Sequence, residues 1–129
     1  MRLLLDTHVA LWTVVDLKRI PHPIQRMITN PSNEVFVSAV SIWELGLKFG
    51  SGRSRQPLPQ RSILVEKFEL SGFTFLDVSM RHAVAFEDHA PAHPDPYDRM
   101  ILTQALTDQL RLVTVDARLA SYSDTVISW

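Results

Sequence analysis

The sequence has no cysteine, which excludes disulfides and thiolate metal sites and suits a reducing cytoplasm. It also lacks any apolar run approaching the ~20 residues that a membrane helix needs. The amino-terminal leucines stop at Asp6, with no long apolar stretch and no small-residue cleavage site of a secretory signal. No membrane association is therefore expected. Charge of either sign is not in excess: 13 basic and 14 acidic residues give a net charge of −1. Nucleic-acid binders are often strongly basic, so the total argues mildly against one. The distribution says more than the sum. From Lys48 to Arg61 ("KFGSGRSRQPLPQR") the chain carries Lys48, Arg53, Arg55 and Arg61 and no anion.

What is present is an ordinary globular composition, 46% hydrophobic and 21% charged over 129 residues. One domain over residues 1–129 is the economical expectation. No repeat or low-complexity tract interrupts it. Apolar, β-branched segments alternate with helix-period segments. Strands are predicted at 2–5, 34–38, 73–78, 111–115 and 125–129. Helices are predicted at about 8–16, 21–30, 39–50, 60–70, 80–90 and 96–110, with a loop over Gly50–Pro59. In the 39–50 helix Val40, Trp43 and Leu47 form the apolar stripe, and Ser41, Glu44 and Lys48 the polar one. Trp12, Trp43 and Phe49 lie on such stripes and read as core rather than as base-stacking residues. The pattern predicts an α/β fold: a mostly parallel sheet of four to five strands with helices on both faces. Ligands in such sheets bind beyond the carboxyl ends of the strands, where Asp6 and Asp116 both fall.

Each acid in this set has a local structural explanation. Asp6 and Asp116 sit where a strand gives way to a helix and can serve as N-caps. Glu44 can pair with Lys48 at i,i+4 or complete a capping box with Ser41. In "HPDPYDRMILTQA", Asp95 is a natural N-cap, Pro96 a natural first helical residue, and Asp98 falls in the first turn. Taken together they point elsewhere. Two bare carboxylates 4 Å apart repel by roughly 4 kcal/mol at an effective dielectric of about 20. A cluster of them must take up protons or bind a cation, and an all-oxygen site suits Mg²⁺ or Mn²⁺ rather than Zn²⁺.

The segments "LLLDTH", "SAVSIWELGLK", "DPYDRMILTQA" and "LVTVD" resemble, in order and spacing, the four signature segments of PIN-domain ribonucleases. They are most similar to the VapC-type toxins of prokaryotic toxin–antitoxin pairs, and the resemblance spans Leu3 to about Ser128. It implies a Mg²⁺- or Mn²⁺-dependent endoribonuclease with an acidic quartet at Asp6, Glu44, Asp98 and Asp116. Asp6, Asp98 and Asp116 would hold metal; Glu44 would hold metal or accept a proton from the attacking water. Thr114 matches a polar position that supports the last acid, Asp95 stays a capping residue beside the site, and Arg99 is either a phosphate contact or a clamp on the carboxylates. Lys48, Arg53, Arg55 and Arg61 are candidates for RNA backbone contacts, or else a solvated basic loop. The implied partners are RNA, a cognate antitoxin and a second copy of the chain.

His8, His82, His89 and His93 match no metal-ligand spacing, and His8 reads as lining the pocket beside Asp6. Phosphoacceptor receiver domains and dehalogenase-type phosphatases also place acids at strand ends. The first needs an adjacent acidic pair after strand one and a late lysine, yet no lysine follows Lys67. The second needs an acid where this chain has His8. A PIN-like module that binds RNA without cleaving it would lack at least one of the four acids.

Overall fold

The computed structural model describes residues 1–50 and 58–129. Its centre is β1 (Arg2–Leu5), whose three leucines are entirely shielded from solvent. Each such burial contributes about 1.5–3 kcal/mol, so this short strand is a strong anchor. β1 lies between β2 (Glu34–Ser38) and β4 (Arg111–Thr114), and β3 (Thr74–Leu76) and β5 (Ile127–Ser128) form the edges. The order is β3-β2-β1-β4-β5 and every pairing is parallel.

Among the described residues, seven α-helices fill the connections: α1 (Thr7–Val15), α2 (His22–Thr29), α3 (Ala39–Phe49), α4 (Arg61–Leu70), α5 (Met80–Ala85), α6 (Pro96–Thr107) and α7 (Ala117–Ala120). Alternating strand side chains sort them into two layers. Leu3, Leu5, Val35, Val37 and Val113 pack with α1, α2 and α4, through residues such as Val9, Ile24, Leu64 and Phe68. Leu4, Phe36 and Leu112 face the other way, onto Ile101, Leu102 and Ala105 of α6 and Leu119 of α7. This is the α/β sheet covered on both faces that the sequence pattern predicts.

Four local expectations need correction. The third strand is confined to Thr74–Leu76, because its partner β2 ends at Ser38 and turns directly into α3. The helix predicted over 80–90 stops at Ala85 and passes into a 3-10 turn at Phe86–Asp88. Its marker residues Met80 and Val84 are 81% and 70% exposed, whereas His82 is buried. His82 Nδ1 accepts from the Ser79 N–H (3.0 Å), and Nε2 meets Asp108 Oδ2 (2.9 Å). The helix predicted to Leu110 ends at Thr107, and Gln109 turns the chain with a φ of 57°. Of the loop expected over Gly50–Pro59, residues 51–57 lie outside the described residues.

The fourth correction concerns α3, which buries Val40 of the predicted apolar stripe but leaves Trp43 and Leu47 exposed. Trp43 is 61% and Leu47 56% exposed, while Ser41 and Glu44 are buried with Val40 and Leu45. α3 turns its polar side to the carboxyl edge of the sheet, where the Thr7 hydroxyl donates to Ser41 Oγ (3.0 Å). Trp12 and Phe49 pack against the core as expected; Trp43 does not. The capping residue of α3 is Ser38, whose hydroxyl oxygen accepts from the Val40 N–H (3.0 Å), so Ser41 completes no capping box with Glu44.

Ser38 also donates to Gln104 Oε1 (2.6 Å), and Gln104 Nε2 donates to the Asp77 carbonyl (3.3 Å). One buried amide thereby ties β2, α6 and the end of β3 together. Gln104→Leu removes the acceptor of a buried hydroxyl, which costs about 1–3 kcal/mol. Urea denaturation of this variant should show that loss of stability; an unchanged midpoint would mean the amide adds nothing to the fold.

Candidate metal centre

The site is built outward from two neighbouring strand ends. Parallel pairing of β1 with β4 aligns Leu5 with Val113, and the Asp6 N–H then donates to the Val113 carbonyl (2.9 Å). Asp6 is thus fixed by the ladder before its side chain makes any contact. Its Oδ1 accepts from the Thr7 N–H (2.8 Å), capping α1, and its Oδ2 accepts from the Thr114 hydroxyl (2.6 Å). Thr114 Oγ1 in turn accepts from the Asp116 N–H (3.0 Å). The threonine therefore supports the first acid through its hydroxyl and the last through the backbone.

Asp116 caps α7 by accepting from the Arg118 N–H (2.8 Å), and its Oδ2 lies 3.2 Å from His93 Nε2. Asp95 caps α6, accepting from the N–H groups of Tyr97 (2.9 Å) and Asp98 (3.2 Å). This places Asp98 in the first turn of α6. Glu44 projects from the buried face of α3 and is ion-paired with Lys48, whose ammonium also lies 3.8 Å from Asp95 Oδ2.

These placements bring ligand atoms together in two groups that share one residue. Oxygens of Glu44, Asp95 and Asp98 lie within 4.8 Å of one another, as do a nitrogen of His93 and oxygens of Asp98 and Asp116. Asp98 is the hinge of the site. Its carboxyl is pushed up to about 8 by burial, then by the negative charge of Asp6, Asp95, Glu44 and Asp116. Burial also raises Asp6, partly offset by the hydrogen bonds from Thr114 and the Thr7 N–H. Lys48 is held above its ordinary value because Glu44, Asp95 and Asp98 outweigh the opposing effect of its partial burial.

A divalent cation fits this arrangement on two grounds. Glu44 Oε1 is buried without a hydrogen-bond partner among the described residues, an expensive condition for a carboxylate oxygen unless a cation is met there. Apart from the His93 nitrogen, the potential ligand atoms around Asp98 are carboxylate oxygens, the set that hard cations such as Mg²⁺ take.

All four acids of the predicted quartet converge, but not equivalently. Asp98 and Asp116 share one group and Glu44 and Asp98 the other, while Asp6 belongs to neither and acts on Asp98 through its charge. Arg99 does not clamp the carboxylates, and no described carboxylate pairs with it. Its guanidinium donates to the carbonyls of His89 (2.8 Å) and Phe86 (2.6 Å), with Phe86 stacked beneath it. The reason is geometric: Arg99 faces the 3-10 turn that precedes α6. Lys48 joins the acidic cluster, Arg61 is half-buried at the start of α4, and Arg53 and Arg55 lie outside the described residues. His93 escaped the sequence pattern because its carboxylate partner, Asp116, lies 23 residues further along the chain. The available signal was its position in "AHPDPYD", two residues before the Asp95 cap.

Proton linkage gives a test of the crowding. With Asp98 holding its proton up to about pH 8 in the fold and losing it near pH 4 when unfolded, the folded state binds the extra proton across that window. Stability of metal-free protein then falls as pH rises from about 4 to 8. Melting temperatures measured in chelator should decline over that range, and Asp98→Asn should flatten the decline. A wild-type curve as flat as the variant's would show that the acids are not crowded.

Comparison with known proteins follows the same lines. The PIN domain model matches residues 3–124. Ribonuclease VapC22 of Mycobacterium tuberculosis is 32% identical over 120 residues, covering 92% of this chain and 90% of that protein. Among solved structures, VapBC2 of Rickettsia felis bound to a promoter DNA fragment matches with a TM-score of 0.70 at 17% identity. The match covers 100% of this chain and 98% of the other. DNA-bound VapBC of Salmonella typhimurium matches with a TM-score of 0.69 at 22% identity, covering 100% and 97%. At these identities the structures speak for the fold alone, and the family model and the ribonuclease carry the assignment: the chain belongs to the PIN-domain family, alongside the VapC ribonucleases.

Proposed function

We propose that this chain is a Mg²⁺- or Mn²⁺-dependent endoribonuclease and the toxin of a toxin–antitoxin pair. The observation that carries the reading is the crowding at Asp98, where two groups of potential ligands meet on one carboxylate. Asp98 and Asp116 would hold the ion, with Asp6 beside them directly or through water. Bound there, a divalent ion acidifies a water and offsets charge developing on a phosphodiester. Glu44, with one oxygen ion-paired to Lys48 and the other without a partner among the described residues, would either meet the ion through that second oxygen or take a proton from the water. Attack on phosphorus breaks the bond to the leaving oxygen, so RNA is cut by hydrolysis.

A pocket of carboxylates repels RNA, so affinity must come from its rim. Arg53, Arg55 and Arg61 are proposed for backbone contacts. Lys48 is proposed as the cation between the rim and Glu44, since its ammonium already serves the acids. The partners proposed are a cognate antitoxin and a second copy of the chain. The latter reading draws support from an apolar groove of about 430 Å³ beside exposed Trp43, lined by Val40, Val78, Phe86 and Met100. No described helix is long and apolar enough to cross a membrane, and a cytoplasmic location is proposed.

The test is cleavage of total RNA by purified protein, with Mg²⁺ or Mn²⁺ and with chelator. Asp98→Asn and Asp116→Asn should each reduce cleavage by about a hundredfold or more, since loss of even an outer hydrogen-bond partner of a metal ligand costs about 10–100-fold. Cleavage that ignores chelator, or survives both substitutions, would refute the mechanism.

A further inference from the structure

His93 is buried, comes from the loop before α6, and is absorbed by neither the quartet nor the capping scheme. Its ring is held at both nitrogens. Nδ1 lies 3.2 Å from the Asp95 backbone nitrogen and accepts that N–H, and Nε2 lies 3.2 Å from Asp116 Oδ2. The His93 backbone N–H donates to the Ala90 carbonyl (2.9 Å), closing a turn in which Ala90 has a φ of 47°. The loop is therefore wound to deliver this ring between the Asp95 cap and the Asp116 carboxylate.

The two hydrogen bonds decide what the ring can do. A nitrogen that accepts a backbone N–H carries no hydrogen, so the ring hydrogen resides on Nε2 and is directed at Asp116. A protonated ring nitrogen has no lone pair to offer a cation. Proximity to Asp98 and Asp116 thus does not make His93 a metal ligand. The geometry points to a different role: we propose that His93 is a positioning residue, which donates from Nε2 to Asp116 and fixes that carboxylate for the divalent ion. Through Nδ1 it also couples Asp116 to Asp95, and hence to the turn that sets Asp98. One imidazole ties together the two acids that arrive from α6 and α7. This rests on the metal-dependent reading above.

The test is calorimetric titration of wild type and three variants with Mn²⁺ alone, with melting temperatures in chelator recorded for each. The amide nitrogen of Gln can stand where Nε2 stands, whereas that of Asn falls near Nδ1. His93→Gln should retain Mn²⁺ affinity within about threefold of wild type. His93→Ala and His93→Asn should each lose about tenfold or more, as for outer hydrogen-bond partners of metal ligands generally. All three variants disturb the buried ring and so lower the metal-free melting temperature, and the difference of His93→Gln from His93→Ala and His93→Asn should appear in Mn²⁺ affinity. Unchanged affinity in His93→Ala would overturn the proposal. So would a His93→Gln loss as large as that of His93→Ala, which would mean that the ring itself is the ligand or that only its packing matters. A wild type that binds no Mn²⁺ would instead overturn the metal reading, and this one with it.

Discussion

Carboxylates repel one another, and the structure of this chain is organised around holding several of them together against that repulsion. Asp6 and Asp116 follow adjacent parallel strands, Asp98 opens a helix, and Glu44 stands on the buried side of another. None of these positions is free to relax. β1 is locked by its buried leucines and α6 by Ile101, Leu102 and Ala105 in the core. The energy stored in the crowding is carried by apolar burial remote from the acids, a common arrangement at functional sites.

The acids are also locally satisfied, which explains how the site survives without collapsing. Asp6, Asp95 and Asp116 each accept a backbone N–H at a helix start, where the helix dipole favours negative charge. Capping and metal binding are therefore not rival explanations of these residues. The same oxygens that terminate helices are oriented by them, and a carboxylate retains further lone pairs for a cation. Lys48 adds one fixed positive charge on the Glu44 side, and no comparable cation stands beside Asp116 among the described residues.

Much of this was legible in the sequence because it is written in short segments. A strand followed by Asp reads the same way whether the motif is "LLLDTH" or "LVTVD", and parallel neighbours carry both acids to one edge. Asp95 and Pro96 announce the start of α6 unaided. The failures share a cause, dependence on distant partners. Trp43 and Leu47 make an apolar stripe, yet α3 seats itself by burying Val40 and Leu45, which carries Ser41 to Thr7 and Glu44 inward against the repulsion of the other acids. Arg99 follows Asp98 in sequence but lies across from the carbonyls of Phe86 and His89. His93 gains its meaning only from Asp116, 23 residues away. β3 is short because β2 turns into α3, a constraint imposed by a different segment altogether.

Acids crowded this closely can coexist either as a cation site or as a protonated polar cluster. Anomalous diffraction from crystals grown with Mn²⁺ separates the two most directly. A cation site should give a manganese peak within bonding distance of carboxylate oxygens of both Asp98 and Asp116. A site that stays empty at saturating Mn²⁺, or manganese bound away from Asp98, would contradict it.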